Sequence, residues 1–299
     1  MTTDPKTPQA WGIQLAKLWG PHFPVKADRV ALDYSAQRFR DEPITKVAGH
    51  NVDGFEGMLI ERRALGRWYI LYDERVTLPG RRNFTIGHEL GHYLLHRAPG
   101  REFRCNQRAV LEYGSDESRR REQEANIFAS YLLMPIDDFQ REIRSNAMSF
   151  DLLEHCANRY EASLTAAALK WLEFTEEIAL LVIGRDGFVL WSRPSSGARR
   201  RGYYLPPGAL LPEKSRAACA THFNSDDRSG VVMPAGVWHT ADETREMLIV
   251  SDQYEFTISL ILGIGASARV EHEEPEPEDA FDQVMRPFNR ADDPRGFSR

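Results

Sequence analysis

The chain has 299 residues, 42% of them hydrophobic, which is enough to bury one sizeable core or a few smaller ones. Its formal net charge of -6 disfavours a protein that binds nucleic acid chiefly through phosphate contacts. The N-terminal residues lack the basic and apolar regions of a signal peptide, and no apolar run is long enough to cross a membrane, so we expect a cytoplasmic protein. The three cysteines show no CxxC spacing and are expected to be reduced thiols.

The first part of the chain is predicted to contain two amphipathic helices, around residues 11–19 and 25–39, and then two strands at residues 55–61 and 67–73. Both strands are rich in β-branched and aromatic residues, and an Ala-Leu-Gly break separates them. We therefore expect them to form an antiparallel pair.

A helix predicted over residues 84–96, with Asn83 as its expected N-cap, carries the motif HELGH. His88 and His92 are four residues apart and share a helix face, on which two imidazoles can grip one metal ion. Glu89 lies on the same side, where a carboxylate can accept a proton from water and pass it to a leaving amine. The motif thus predicts metal-assisted peptide hydrolysis.

Two glycines strengthen this interpretation, because the five-residue motif also arises by chance in ordinary solvated helices. Gly87 and Gly91 lie inside the predicted helix, and each costs about 1 kcal/mol relative to alanine. Close packing beside a functional site explains that cost better than a solvated helix does.

A third metal ligand is expected, since a catalytic zinc site usually has three protein ligands and one open position. His96 lies about 6 Å further along the helix axis than His92, which disfavours it for this role. A second helix, predicted over residues 121–133, presents Glu122 and Asn126 on one side. Glu122 can then bind the ion while Asn126 hydrogen-bonds a ligand imidazole. Alternatively, Glu122 is merely an acidic residue of a first helical turn, which the helix dipole favours.

The segments FTIGHELGHYLLH and EQEANIFASYLLMP resemble the ImmA/IrrE family of metallopeptidases over the full length of both motifs. The resemblance implies a zincin-like domain with His88 and His92 as metal ligands and Glu89 as the base. By its position in the second motif, Glu122 is the third ligand, and Glu124 is the fallback. One Zn²⁺ per chain is expected, with Mn²⁺ as the alternative. Because the family is associated with cleavage of helix-turn-helix repressors, the resemblance implies such a protein substrate in a stress-response or mobile-element context.

The strand at residues 67–73 has two interpretations. In zincin-like folds an edge strand lines the cleft and pairs with an extended substrate, and this strand is either that edge or a plain core strand. No residue is assigned to oxyanion stabilisation, although Tyr93 and Tyr131 lie near the motifs in the sequence.

Residues 150–175 contain two short helical patterns, with Ser163 as the expected N-cap of the second, and resemble a helix-turn-helix. The second pattern offers only Lys170 as a cation, whereas base-reading helices normally present Arg, Asn or Gln. We therefore expect this segment to pack or to dock on protein, and DNA binding is disfavoured.

Beyond residue 176 the sequence becomes β-rich, with a hairpin expected around residues 184–187 and a second pair of strands within residues 246–264. An arginine triplet at residues 199–201 is expected in a solvated loop. An acidic run with prolines then opens a segment that cannot form a core and is predicted to be flexible.

The chain is therefore predicted to be α+β, in four parts. These are a zincin-like catalytic domain at residues 1–145, a helix-turn-helix-like segment at 146–175, a β-rich regulatory or sensor-like domain at 176–268, and an acidic tail at 269–299. Two other functions remain open. One is a DNA- or protein-binding regulator that retains a non-catalytic metal site. The other is a toxin-antitoxin or phage-linked interaction module whose metal only holds the fold, which would need four protein ligands.

Overall fold

The computed structural model describes residues 4–51, 55–97, 103–105, 116–144, 146–219, 226–251 and 256–264. The helices of these residues are α1 Pro8–Trp19, α2 Ala27–Arg38, α3 Pro79–His96, α4 Asp116–Leu133, α5 Ile136–Ile143, α6 Phe150–Tyr160, α7 Leu164–Leu172, α8 Ser196–Arg200 and α9 Asp226–Ser229. The strands are β1 Ile44–His50, β2 Gly57–Arg62, β3 Arg67–Asp73, β4 Phe103–Cys105, β5 Ala179–Arg185, β6 Phe188–Pro194, β7 Val231–Met233, β8 Thr244–Ser251 and β9 Phe256–Gly263. The chain is α+β, as predicted.

The first sheet has the strand order β1-β3-β2-β4. β2 and β3 form the predicted antiparallel pair, joined through a short 3-10 turn at Arg63–Leu65. The interpretation of β3 as an edge strand is wrong, because β1 pairs with its other side in parallel. Trp68 and Ile70 of β3 are buried, as the core-strand interpretation requires.

The helix α3 begins earlier than predicted, at Pro79, and Asn83 is not its N-cap. Proline suits a first helical position because its φ is already helical and its missing N–H would have had no partner there. Asn83 lies inside the helix with its side chain buried. Its Oδ1 accepts a hydrogen bond from Ala27 N, and its Nδ2 donates one to Val25 O, so it anchors α3 to the start of α2.

The helices α3 and α4 approach closely at Gly91. A Cβ at this position would lie 3.0 Å from Phe128 Cδ1 and 3.1 Å from Ala125 Cα, so a larger residue would push the helices apart. At Gly87, a Cβ would lie 3.5 Å from Ala129 Cβ, which is ordinary contact. Close packing therefore explains Gly91, as predicted, but not Gly87. The first core lies between α1–α4 and one face of the sheet.

The helix-turn-helix-like pair consists of α6 and α7, and Ser163 caps α7 as predicted, accepting a hydrogen bond from Ala166 N. Both helices pack on one face of the second sheet and share a core with it. No residue of α7 is exposed. Lys170 is also buried: its Nζ lies 3.3 Å from the centroid of the Tyr131 ring and donates to Glu173.

The second sheet has the strand order β6-β5-β9-β8-β7. The predicted hairpin of β5 and β6 is confirmed, with Asp186 and Gly187 at φ values of 52° and 81° in its turn. The predicted pairing of β8 with β9 is also confirmed. The arginine triplet does not form a solvated loop. Two of its residues end α8, and the Arg201 guanidinium donates to Asp242.

The remaining predictions concern the cysteines, membrane-spanning helices, the acidic tail and the domain boundaries. Cys156 and Cys219 are free thiols. No helix among the described residues is long and apolar enough to span a membrane. The predicted tail at residues 269–299 lies outside the described residues, and the domain boundaries stay predictions.

Candidate metal centre

Three side chains from α3 and α4 converge on one point. The Nε2 atoms of His88 and His92 lie 3.0 Å apart. From the facing helix, Glu122 places one carboxylate oxygen 3.2 Å from His88 Nε2 and the other 3.3 Å from His92 Nε2. Among the described residues, these three form the group of His, Cys, Asp and Glu side chains that can hold a metal ion, with their ligand atoms all within 4.8 Å of one another. The predicted ligands are therefore brought together.

Asn126 is hydrogen-bonded to His88. Its side-chain Oδ1 lies 2.8 Å from His88 Nδ1. Because an amide oxygen only accepts, Nδ1 of His88 is the donor, and the lone pair of a neutral His88 ring lies on Nε2. That lone pair is directed at the convergence point.

His92 is held on its other side by His96. The Nδ1 atoms of these two rings lie 3.0 Å apart, and His96 Nε2 lies 2.8 Å from Glu124 Oε2. Glu124, the predicted fallback ligand, is thus engaged with His96 and does not join the three-residue group. Neither His96 nor Glu124 belongs to the ligand set, but both contact it through this chain of hydrogen bonds.

The protonation of the group follows from burial and charge. Burial lowers the pKa of His92 to about 4, so this ring is neutral at pH 7. Burial also acts to lower the pKa of His88, but the hydrogen bond and the charge of Glu122 outweigh it and raise that pKa to about 9. Burial opposes ionisation of Glu122, yet its bonds to both imidazoles hold its pKa well below the usual range. A metal ion would replace the proton on His88.

The donor set fits a divalent cation. Two imidazole nitrogens and one carboxylate form a set that zinc accepts readily. The two Nε2 lone pairs face each other in a buried position, where they repel unless a proton or a cation lies between them. A set of three protein ligands is typical of catalytic zinc sites, which keep a fourth position open.

Glu89 lies beside this group, fully buried, against the first residue of β2. A Cβ at Gly57 would lie 2.5 Å from Glu89 Oε1 and 2.6 Å from Thr85 Cγ2, so a larger residue would force these side chains to move. Sequence reasoning missed Gly57. The available signal was a glycine within a strand pattern, which often marks a close backbone approach.

The two tyrosines near the motifs are engaged elsewhere. Tyr93 is buried and its hydroxyl donates to Glu42 O at 2.9 Å. The ring of Tyr131 lies against Lys170. The oxyanion role stays unassigned.

Residues 41–172 match the family model of the IrrE N-terminal-like domain, Peptidase_M78. Over these residues, the chain is similar to the ImmA/IrrE family. The resemblance seen in the sequence is therefore confirmed, and the IrrE-like domain contains all three residues of the converging group. The domain marks the chain as metallopeptidase-like.

A wider comparison extends the fold beyond the IrrE-like domain. A solved structure described as a Mycobacterium tuberculosis transcriptional regulator matches with a TM-score of 0.52 and 13% sequence identity, over 86% of this chain and 76% of that one. At this identity, the two share a fold. A search among curated protein sequences gave no match.

Proposed function

We propose that this chain is a zinc-dependent endopeptidase that hydrolyses a peptide bond in a regulatory protein. His88, His92 and Glu122 would hold the ion, and Glu89 would be the general base. The observation that carries the proposal is the convergence of both Nε2 atoms and the Glu122 carboxylate beside a buried Glu89.

The chemistry divides between the ion and the protein. A bound zinc ion supplies a Lewis acid that polarises the scissile carbonyl and makes water nucleophilic near neutral pH. Glu89 accepts the proton of the attacking water and then donates it to the nitrogen of the leaving amine. Gly57 leaves space for the Glu89 carboxylate, because a Cβ there would lie 2.5 Å from Glu89 Oε1. Asn126 fixes the orientation of the His88 ring.

The substrate we propose is a helix-turn-helix transcriptional repressor, cleaved in a stress-response or mobile-element context. This part of the proposal rests on the family resemblance of the two motifs. Zinc is preferred to manganese because two imidazoles and one carboxylate form a typical zinc donor set. The protein is proposed to act in the cytoplasm.

The alternative is a regulator with a non-catalytic metal site, and two observations favour the peptidase over it. Residues of α7 are buried or only partly exposed, so this helix offers little surface to a DNA groove. A structural zinc site usually has four protein ligands, whereas the described residues supply three.

The proposal is tested with purified protein and purified helix-turn-helix repressors from the same cells. Wild type and Glu89→Gln are each loaded with one equivalent of zinc, and cleavage is followed by intact-mass spectrometry. The proposal expects both proteins to bind zinc and only wild type to cut. Equal cleavage by the two would overturn the role of Glu89, and failure of wild type to bind zinc would overturn the metal site.

A further inference from the structure

We propose that His96 and Glu124 are positioning residues that fix the tautomer of His92 and so direct its Nε2 lone pair at the metal. This inference rests on the metal site of the proposed function. It gives a role to the third histidine of the segment HELGHYLLH, which is not a ligand.

The contacts form a continuous line between the two helices. Glu124 Oε2 of α4 lies 2.8 Å from His96 Nε2 of α3. Nδ1 of the same ring lies 3.0 Å from Nδ1 of His92. The line ends at His92 Nε2, which faces His88 Nε2 at 3.0 Å.

The carboxylate end determines the direction of every hydrogen bond in this line. An ionised carboxylate only accepts, so His96 must donate from Nε2–H. A neutral His96 then carries its lone pair on Nδ1 and can only accept there. His92 must therefore donate from Nδ1–H, which leaves the lone pair of a neutral His92 on Nε2. A metal ion requires that lone pair.

Both ligand histidines are thus oriented from α4, in two different ways. Asn126 holds the Nδ1 of His88 directly. Glu124 holds the Nδ1 of His92 through the ring of His96, whose side chain is 6% exposed. The intervening ring is needed because His92 and Glu124 do not meet directly, whereas His96 lies one helical turn beyond His92 and reaches both.

A merely structural ion pair between His96 and Glu124 is the competing explanation. The chain offers a matched control for it in His155 and Glu142, whose side chains lie 2.7 Å apart on α6 and α5. That pair is more exposed, at 56% for His155, and forms no contact with the ligand group in the part of the chain described. Removing this pair measures how the loss of a histidine–carboxylate pair that does not contact the ligands affects zinc affinity.

The experiment measures zinc affinity by chelator competition, and the histidine tautomers by NMR of protein with ¹⁵N-labelled histidine. The variants are His96→Phe and Glu124→Ala, with His96→Gln as the conservative replacement and His155→Phe as the control. His96→Phe and Glu124→Ala are expected to lower zinc affinity about 10–100-fold. His96→Gln should recover much of it, because its side-chain oxygen can accept from His92 Nδ1–H. In the NMR spectra of metal-free wild type, neutral His92 should be the Nδ1–H form and His96 the Nε2–H form.

The outcomes separate this inference from the proposed function. Zinc affinities within twofold of wild type in both His96→Phe and Glu124→Ala, in a wild type that binds zinc and cleaves, would overturn the inference alone. An Nε2–H tautomer of His92 in the metal-free wild type would also overturn this inference. An equal loss of affinity in His155→Phe would assign the effect to general destabilisation and overturn it too. A wild type that binds no zinc would instead overturn the proposed function.

Discussion

His88 and His92 face each other with their Nε2 atoms 3.0 Å apart, inside the protein and within reach of Glu122. Each ring uses its Nδ1 for a hydrogen bond elsewhere, so neither can turn its lone pair away without losing that bond. The arrangement is favourable when a proton or a metal cation lies between the two Nε2 atoms and costly otherwise. The stability of the folded protein should therefore depend on which cation occupies this site.

Zinc should therefore stabilise the fold. At a free concentration of about 1,000 times its Kd, the ion is expected to add about 4 kcal/mol to the free energy of unfolding. Urea denaturation with zinc and with a chelator measures the difference. Glu89→Gln should keep this gain, whereas His92→Ala should lose it. A wild type that unfolds at the same urea concentration in both conditions would contradict the prediction.

Gly91→Ala should separate α3 from α4, because its Cβ would lie 3.0 Å from Phe128 Cδ1 and 3.1 Å from Ala125 Cα. We expect a loss of roughly 1–3 kcal/mol in stability and a weaker metal site, since Glu122 and the histidines lie on these two helices. Gly87→Ala is the matched control in the same helix. It should be neutral or add up to about 1 kcal/mol through helix propensity. Equal free energies of unfolding for the two variants would show that the close helix approach at Gly91 does not limit the size of the residue there.

Gly57→Ala should impair catalysis while the metal ligands remain intact. Its Cβ would lie 2.5 Å from Glu89 Oε1, so the carboxylate must move. A displacement of about 1 Å at a reacting group can cost about 100-fold in rate, and we expect kcat to fall on that order. Zinc affinity should stay within a few-fold of wild type. Normal cleavage by Gly57→Ala would mean that catalysis does not require the Glu89 carboxylate to lie where it does in the structure.

Asp138 should make the fold sensitive to acid. It is buried and accepts hydrogen bonds from Arg159, Arg141 and Tyr160. Burial alone would raise the pKa of Asp138, but the bonds from Arg159 and the others lower it to about 2. A lowered pKa contributes stability above about pH 4 and loses it as the pH falls towards 2.

The variant Asp138→Asn should therefore lose about 2 kcal/mol near pH 7, and the difference from wild type should shrink as the pH falls towards 2. Denaturation curves at several pH values measure this slope. Asp151→Asn is the control, because that side chain is 72% exposed in its pair with Arg228. A difference from wild type that stayed constant with pH would exclude the titration of Asp138 as its cause.

Local signals in the sequence predicted much of the structure. Ser163 was identifiable as a cap because a hydroxyl before an apolar helical pattern has one favourable arrangement. The hairpin turn at Asp186 and Gly187 was identifiable because its backbone needs residues that tolerate positive φ. The pairing of His88 and His92 could also be predicted locally, because residues four apart lie on one face of a helix.

The remaining features depend on residues far apart in the chain. Asn83 looked like a cap, but its side chain satisfies the backbone at Val25 and Ala27 from inside the helix. The parallel pairing of β1 with β3 has no local signature, so β3 could not be recognised as an interior strand. The sequence favoured Glu122 as the ligand but left Glu124 as the fallback, because the partner of Glu124, His96, lies on another helix.

The proposed peptidase activity is tested by comparing zinc-loaded wild type with zinc-loaded Glu89→Gln in lysate of the source cells, with new protein N-termini mapped by mass spectrometry. Glu89→Gln keeps the three ligands and removes the base. New N-termini are expected with wild type only, concentrated in one helix-turn-helix regulator. The same N-termini with both proteins, or none with a wild type that holds one equivalent of zinc, would contradict it.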